Sequence, residues 1–301
     1  MKKWLIVIGG PTAVGKTRLT IELAKKLSAP VISADSRQLY REMSIGTAKP
    51  TEDELKEAPH YFVNSHSIME EYTVADYEKE VIALLDQLYL DTDVAILTGG
   101  SGLYIDAVLH GMDDMPDIDP DVRASARTEL EKEGLEGLLH ELSLRDPLYY
   151  SRVDKMNPRR VLRAIEIIRQ TNRPFSAFRA AKKKVRRFSP IMIGLERERT
   201  ELYERVDQRV DLMLEAGLVR EVKELYAYRN MSAMRTVGYS EIIDYLDGAY
   251  DLDEAVRLIK RNTRRYAKRQ LTWFKNKMEM EWFHPEEEEA ICQLYEKTIR
   301  N

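Results

Sequence analysis

Residues 10–17 read Gly-Pro-Thr-Ala-Val-Gly-Lys-Thr and match the pattern G-x-x-x-x-G-K-[ST] in full. An apolar run at residues 5–8 precedes them and a helical period at residues 16–27 follows, the context that marks a phosphate loop. In such a loop backbone N–H groups converge on a phosphate at a helix N-terminus. Lys16 adds a point charge, and the Thr17 hydroxyl suits Mg2+. The loop specifies a di- or triphosphate, as nucleotide-binding and ATP-binding proteins do, without choosing among them. An ATP site normally adds an aspartate at the end of a hydrophobic strand to position Mg2+. Here residues 94–97 run on into Thr98-Gly99-Gly100, with threonine in that place. The carboxylate follows residues 31–34 instead, at Asp35. Because the carboxyl ends of strands form the ligand crevice of an open α/β sheet, Asp35 is expected beside the loop. It could serve there as a general base, as a turn or cap residue, or as both.

Two basic stretches suit a polyanion. Asn157-Pro158 provides a cap and a first-turn proline, after which Arg159, Arg160 and Arg163 share one helical face. Val161, Leu162, Ile165 and Ile168 would pack the other side. Downstream, Lys182-Lys183-Lys184-Val185-Arg186-Arg187 reads as too dense in charge to be paired internally. Residues 261–275 mix basic side chains with Tyr266, Trp273 and Phe274, offering backbone charge and stacking faces to single-stranded nucleotides. The competing reading is an amphipathic helix that buries Tyr266, Leu271 and Phe274 and leaves its lysines in solvent.

These groups need a scaffold. Short β-rich runs at residues 5–8, 31–34 and 94–97 alternate with helical periods at 16–27, 73–90 and 101–109. That alternation predicts βαβ units and a parallel sheet with helices on both faces. An Asp/Pro-rich stretch at 113–121 breaks it, helical polar sequence runs to about residue 187, and 189–195 reads as a strand again. The expected architecture is an α/β, P-loop NTPase-like parallel-sheet core with a helical insertion domain. Residues 1–115 and 189–301 would form the core, and residues 116–188 the insertion.

Composition narrows the class. The 301 residues are 44% hydrophobic and 33% charged, which fits a soluble globular chain rather than a disordered one. The 47 basic and 51 acidic residues give a net charge of −4, which by itself argues against a simple basic nucleic-acid binder. Yet residues 152–187 hold thirteen bases against two acids, and residues 257–277 hold nine bases and no acid. The other 244 residues therefore carry −24. The single Cys292 excludes an intramolecular disulfide and a cysteine-based zinc site, and suits a reducing cytoplasm. The N-terminal apolar run is too short for a signal peptide, and no stretch of about 18 apolar residues exists for a membrane span.

The ordered set of motifs resembles the bacterial tRNA dimethylallyltransferase (tRNA isopentenyltransferase) family over nearly the whole chain. It comprises the phosphate loop, Asp35-Ser36-Arg37-Gln38-Leu39-Tyr40, Ile45-Gly46-Thr47-Ala48-Lys49-Pro50 and Thr98-Gly99-Gly100-Ser101-Gly102-Leu103-Tyr104. Arg159-Arg160-Val161-Leu162-Arg163-Ala164, Arg235-Thr236-Val237-Gly238-Tyr239 and Lys268-Arg269-Gln270-Leu271-Thr272-Trp273-Phe274 complete it. The resemblance implies transfer of a dimethylallyl group from its diphosphate to N6 of adenosine 37 in tRNA, with no ATP consumed. Residues 10–17 would hold the diphosphate, with Mg2+ at Thr17. Asp35, Ser101, Lys16 and Arg209 would be catalytic, with Arg205 the rival to Arg209. Asp35, Ser36, Arg37, Gln38, Ser101, Arg123 and residues 159–163 would grip the tRNA, and the insertion would clasp its anticodon stem-loop. The enzyme would be a cytoplasmic monomer. Three departures matter. Serine stands at 101 where threonine is common, residues 60–64 replace a two-histidine segment so that no role is assigned to His60, and one cysteine excludes the zinc finger of eukaryotic relatives. The alternatives are a P-loop kinase of a small metabolite and a prenyltransferase acting on free adenine nucleotides.

Overall fold

The computed structural model describes residues 2–179 and 184–300, which divide into two compact units, Met1–His110 with Val185–Asn301 and Gly111–Lys184. The smaller unit thus begins five residues and ends four residues before the insertion that the sequence suggests. Residues 111–119 carry no regular structure, and Asp119 caps the first helix of the inserted unit.

In the larger unit, β1 (Lys3–Gly9) runs into the phosphate loop and α1 (Lys16–Leu27). There follow β2 (Val31–Ser33), α2 (Glu52–Glu57), β3 (His60–Tyr61), α3 (Val74–Asp91), β4 (Val94–Gly99) and α4 (Gly102–His110). The inserted unit holds α5 (Pro120–Glu133), α6 (Leu135–Arg145), α7 (Pro147–Tyr150) and α8 (Pro158–Thr171). The chain then returns through β5 (Phe188–Leu195), α9 (Arg199–Glu215), α10 (Leu218–Glu224) and α11 (Tyr239–Leu246). It ends in α12 (Leu252–Lys277), β6 (Glu281–Phe283) and α13 (Glu288–Arg300).

The sheet has the order β3-β2-β4-β1-β5-β6, and every pairing is parallel. Parallel strands are covered on both faces and so read as continuous apolar runs. In β1 the alternation feeds two cores: Leu5 and Val7 pack with α3 and α4, whereas Trp4, Ile6 and Ile8 pack with α1. Between β1 and β4, the Thr98 hydroxyl accepts from Thr20 of α1 at 3.1 Å and donates to the Ile8 carbonyl at 3.4 Å. The position where an ATP site would carry an aspartate is therefore an interior stitch. No helix among the described residues is long and apolar enough to cross a membrane.

The helical unit has its own core, in which Leu138, Leu142, Val161, Ala164, Ile165 and Ile168 are fully buried. Arg169 ties α8 to α5 and α6 through Glu129 at 2.7 Å and Glu141 at 2.5 Å.

Candidate active site

The phosphate loop is shaped by two residues with positive φ, Ala13 (65°) and Gly15 (114°). Such a conformation is costly for alanine and free for glycine, and it holds the loop carbonyls away from the N–H groups. Arginines take up the carbonyls: Arg205 Nε donates to Ala13 O at 3.0 Å and Arg197 Nε to Val14 O at 2.8 Å. Lys16 Nζ donates to Gly10 O at 2.9 Å and Pro11 O at 2.7 Å, and Arg209 donates to the Thr12 hydroxyl at 3.1 Å. Neither Arg205 nor Arg209 makes an ion pair among the described residues. Although Lys16 is only half-buried overall, its ammonium is walled in by protein. Burial and the Arg209 charge lower its pKa to about 7, with Asp35 opposing them. Burial and Arg205 likewise pull the Arg209 pKa down, again against Asp35. Lys16 and Arg209 thus share the field of Asp35 while Arg205 adds a further positive charge beside Arg209, an excess that an anionic ligand would offset.

Asp35 follows β2 directly, and its Oδ1 accepts from the N–H groups of Arg37 at 2.8 Å and Gln38 at 3.3 Å. The turn-aspartate reading is therefore correct as far as it goes. Oδ2 accepts no hydrogen bond among the described residues, which leaves one oxygen available to a proton. Ser101 joins this strand end: its Oγ accepts from Ser36 N–H at 3.0 Å, and its N–H donates to Ala34 O at 3.1 Å. Glycine is required beside it, because a Cβ on Gly99 would run into the Ala34 carbonyl. Asp35, Ser101, Lys16 and Arg209 are brought together in this crevice. Gln38 lies there too, but its amide donates inward to Thr47 O and Ala48 O at 3.3 and 3.0 Å.

The tRNA candidates of the inserted unit fare unevenly. Arg159 and Arg160 are exposed, Arg123 on α5 is half-buried, and Arg163 lies 3.5 Å from Glu166. Val161 is a correction: it is fully buried in the helical core, and Leu162 packs against that core, so neither side chain reaches outward. The dense basic run is corrected as well. Lys184 pairs with Asp114 at 3.4 Å, Arg186 with Glu78 at 2.7 Å and Arg187 with Asp86 at 3.6 Å, while Lys182 and Lys183 lie outside the described residues.

Sequence reasoning missed the part α12 plays. Phe274 lies fully buried under Gly9, Trp273 covers Gly102, and Gln270 reaches both loops of the crevice. Burial and the nearby Asp35 carboxylate raise the Tyr266 phenol to about 12, so it stays a donor beside the aspartate. The signal was the spacing: Tyr266, Gln270 and Phe274 recur at i, i+4, i+8, with a glutamine in an apolar stripe. Of the aromatics read as stacking faces, Phe274 is core, whereas Leu271, expected in the core, is only half-buried.

A parallel α/β unit with a phosphate loop after β1 and arginines of α9 bonded to that loop defines a P-loop protein. The IPP transferase family model matches residues 38–277, and the chain belongs to that family. It is 50% identical over 300 residues to a tRNA dimethylallyltransferase of Cytophaga hutchinsonii, covering 100% of this chain and 99% of the relative. Among solved structures it resembles the full-length tRNA isopentenylpyrophosphate transferase of Bacillus halodurans (TM-score 0.72, 38% identity, 99% of each chain). It also resembles a eukaryotic dimethylallyltransferase acting on tRNA (TM-score 0.79, 27% identity, 93% of this chain and 74% of the other).

Proposed function

We propose that the protein transfers a dimethylallyl group from dimethylallyl diphosphate to N6 of adenosine 37 in the tRNA anticodon stem-loop, as a cytoplasmic monomer. The observation that carries this reading is the group of Lys16, Arg205 and Arg209 around the loop, without ion pairs among the described residues, opposite the single carboxylate of Asp35. A kinase site would add a strand-end carboxylate for Mg2+, and Thr98 fills that place with a half-buried hydroxyl bonded to Thr20 and the Ile8 carbonyl.

The adenine must leave its stack to reach the crevice, since its amine is inaccessible within paired or stacked RNA. The exocyclic amine is a weak nucleophile because its lone pair is delocalised into the ring. Asp35 Oδ2 orients it and accepts a proton as the bond from N6 to the donor carbon forms. Ser101 holds Ser36 and so fixes the aspartate's loop. The carbon–oxygen bond to diphosphate breaks at the same time, and the electron pair leaves with the diphosphate. The loop N–H groups, Lys16 and Arg209 stabilise the charge that gathers there. No cluster of three or more carboxylate, histidine or cysteine side chains among the described residues can hold a metal. The residues fit Mg2+ only as a partner of the diphosphate, with Thr17 as the protein ligand. When bound, it draws charge from the leaving group.

Incubation with labelled dimethylallyl diphosphate and unmodified tRNA carrying adenosines at positions 36–38 tests this. Label should appear on adenosine 37. Label on free AMP only, or phosphoryl transfer without prenylation, would reject the assignment in favour of the small-molecule readings. Asp35→Ala should still bind tRNA and transfer roughly 100-fold or more slowly, the usual contribution of a general base. A single-turnover rate within threefold of wild type would remove that role.

A further inference from the structure

The strongest feature not used by this mechanism is Gln270, a buried glutamine in the middle of the long helix α12, only 6% exposed. Its Oε1 accepts from Thr12 N–H at 2.9 Å, and its Nε2 donates to Gly100 O at 2.9 Å. The first bond holds the phosphate loop. The second holds the β4–α4 turn, one residue before Ser101, whose hydroxyl carries Ser36 and the Asp35 turn. One carboxamide thus joins the half of the crevice that takes the diphosphate to the half that takes the amine.

The chemistry of the side chain is specific to this task. Both ends must be satisfied, one by an acceptor and one by a donor, across two backbone groups that face each other. Glutamine offers both from one carboxamide; ionised glutamate cannot donate, lysine cannot accept, and methionine is only a weak acceptor with no donor. The fit is tight on the other side too, since a Cβ on Gly100 would run into Gln270 Nε2. The bond to Gln270 also withdraws Thr12 N–H from the amides that can meet a phosphate. A phosphate that draws on Thr12 therefore pulls on Gln270, and through it on Gly100.

We propose that Gln270 is a positioning residue that couples the donor and acceptor halves of the site, so that occupation of the phosphate loop sets the geometry of the Gly100–Ser101 turn. The proposal rests on the reading of the crevice given above. Reacting groups must be aligned to within a fraction of an ångström, and a displacement of about 1 Å costs on the order of 100-fold in rate.

Hydrogen exchange with inorganic diphosphate as the sole ligand tests the coupling without any acceptor. In the wild type, diphosphate should protect peptides spanning residues 10–17 and 98–104. In Gln270→Met, which keeps the volume and loses both bonds, only the first should be protected. In single-turnover transfer the same variant should be slower by roughly 30- to 100-fold, while its Kd for diphosphate and for tRNA stay within about threefold of wild type. Gly100→Ala attacks the same bridge from the opposite side and should reproduce both results. The double variant should be no slower than Gln270→Met alone, because that substitution already removes the bond that Gly100→Ala disrupts. Gln270→Glu keeps the Thr12 acceptor and breaks the Gly100 bond, so it serves if the methionine variant does not fold. Protection confined to 10–17 in the wild type, protection reaching 98–104 in Gln270→Met, or a variant rate within threefold of wild type overturns the proposal. A wild type that fails to prenylate tRNA rejects the function proposed above, and the exchange measurement still decides the bridge.

Discussion

At the scale of single residues, the site is marked by cations held out of water with too little negative charge around them. Lys16 shows the consequence most directly. Its pKa of about 7 lies well below the usual lysine value of 10.5, first because burial penalises the ammonium and second because Arg209 repels it. A bound diphosphate reverses the second effect and offsets the first, so its arrival should raise the Lys16 pKa and draw in a proton. The sign follows: above pH 7 the free site has lost this proton and the complex keeps it, so the Lys16 contribution to affinity falls as pH rises toward 10.5. Calorimetry of diphosphate binding at pH 8, in buffers of different ionisation enthalpy, should show wild type taking up about 0.9 proton more than Lys16→Met. At pH 6 the difference should shrink to near zero. Equal proton counts at pH 8 would mean that Lys16 stays charged in the free protein. How far such residues can be read from sequence depends on where their partners lie. Lys16 and Asp35 were legible because a loop motif and a strand end are local patterns. Gln270 was legible only as a polar residue in an apolar stripe, because its two partners stand 258 and 170 residues away and local spacing identifies neither.

At the scale of elements, motifs that the family resemblance merely places in order turn out to be packed against one another. The segment after Asp35 bends through a short 3-10 turn, Ile45–Thr47, whose N–H groups have no partners of their own. Glu221 of α10 supplies them, accepting from Ser44, Ile45 and Gly46 N–H at 3.0, 2.8 and 3.1 Å. Tyr239, at the start of α11, donates its hydroxyl to the same carboxylate at 2.5 Å and lays its ring where a Cβ on Gly46 would stand. The next residues, Thr47 and Ala48, receive the Gln38 amide, so Glu221 anchors the loop that leads back to Asp35. Glu221→Ala leaves four donors without an acceptor, at a cost of about 2–4 kcal/mol. In a unit of this size that lowers Tm by roughly 5–10 °C and opens residues 41–50 to proteolysis. Glu221→Gln should rescue little, since its amide can turn only one acceptor atom toward three N–H groups. A melting temperature within 2 °C of wild type, with no new cleavage in that loop, would show that Glu221 is dispensable to it. The βαβ alternation was readable from periodicity alone, whereas this contact joins segments about 175 residues apart and leaves no periodic trace.

At the scale of the molecule, the segregated charge of the sequence has to be divided into charge used inside the protein and charge left for a partner. Much of the second basic segment is internal. Arg257 pairs with Glu254, Lys260 with Asp211, Arg264 with Asp207 and Lys275 with Glu196, at 2.5–2.6 Å. Arg265, Lys268 and Arg269 remain exposed on α12. In the inserted unit Arg169 is held by two glutamates, and Arg159 and Arg160 stay exposed at the start of α8. Sequence could count the charges but not most of these pairings: Arg257 pairs within its own helix, whereas the other partner acids come from distant segments. The division makes a prediction that net charge does not. Binding of a polyanion depends on salt through the phosphates each exposed cation neutralises, with log K changing by about 0.7–0.9 per contact for each decade of salt. Arg159→Glu with Arg160→Glu should weaken tRNA binding and make the slope of log K against log salt shallower by about 1.4–1.8. Arg169→Gln changes the total charge too, but it should leave the slope alone and lower the stability of the helical core instead. Filter binding across a salt series, together with thermal melts of both variants, separates the two outcomes. An unchanged slope in the Arg159/Arg160 variant would mean that this face does not meet the RNA backbone. A shallower slope in Arg169→Gln would mean that its glutamate pairs open when tRNA binds.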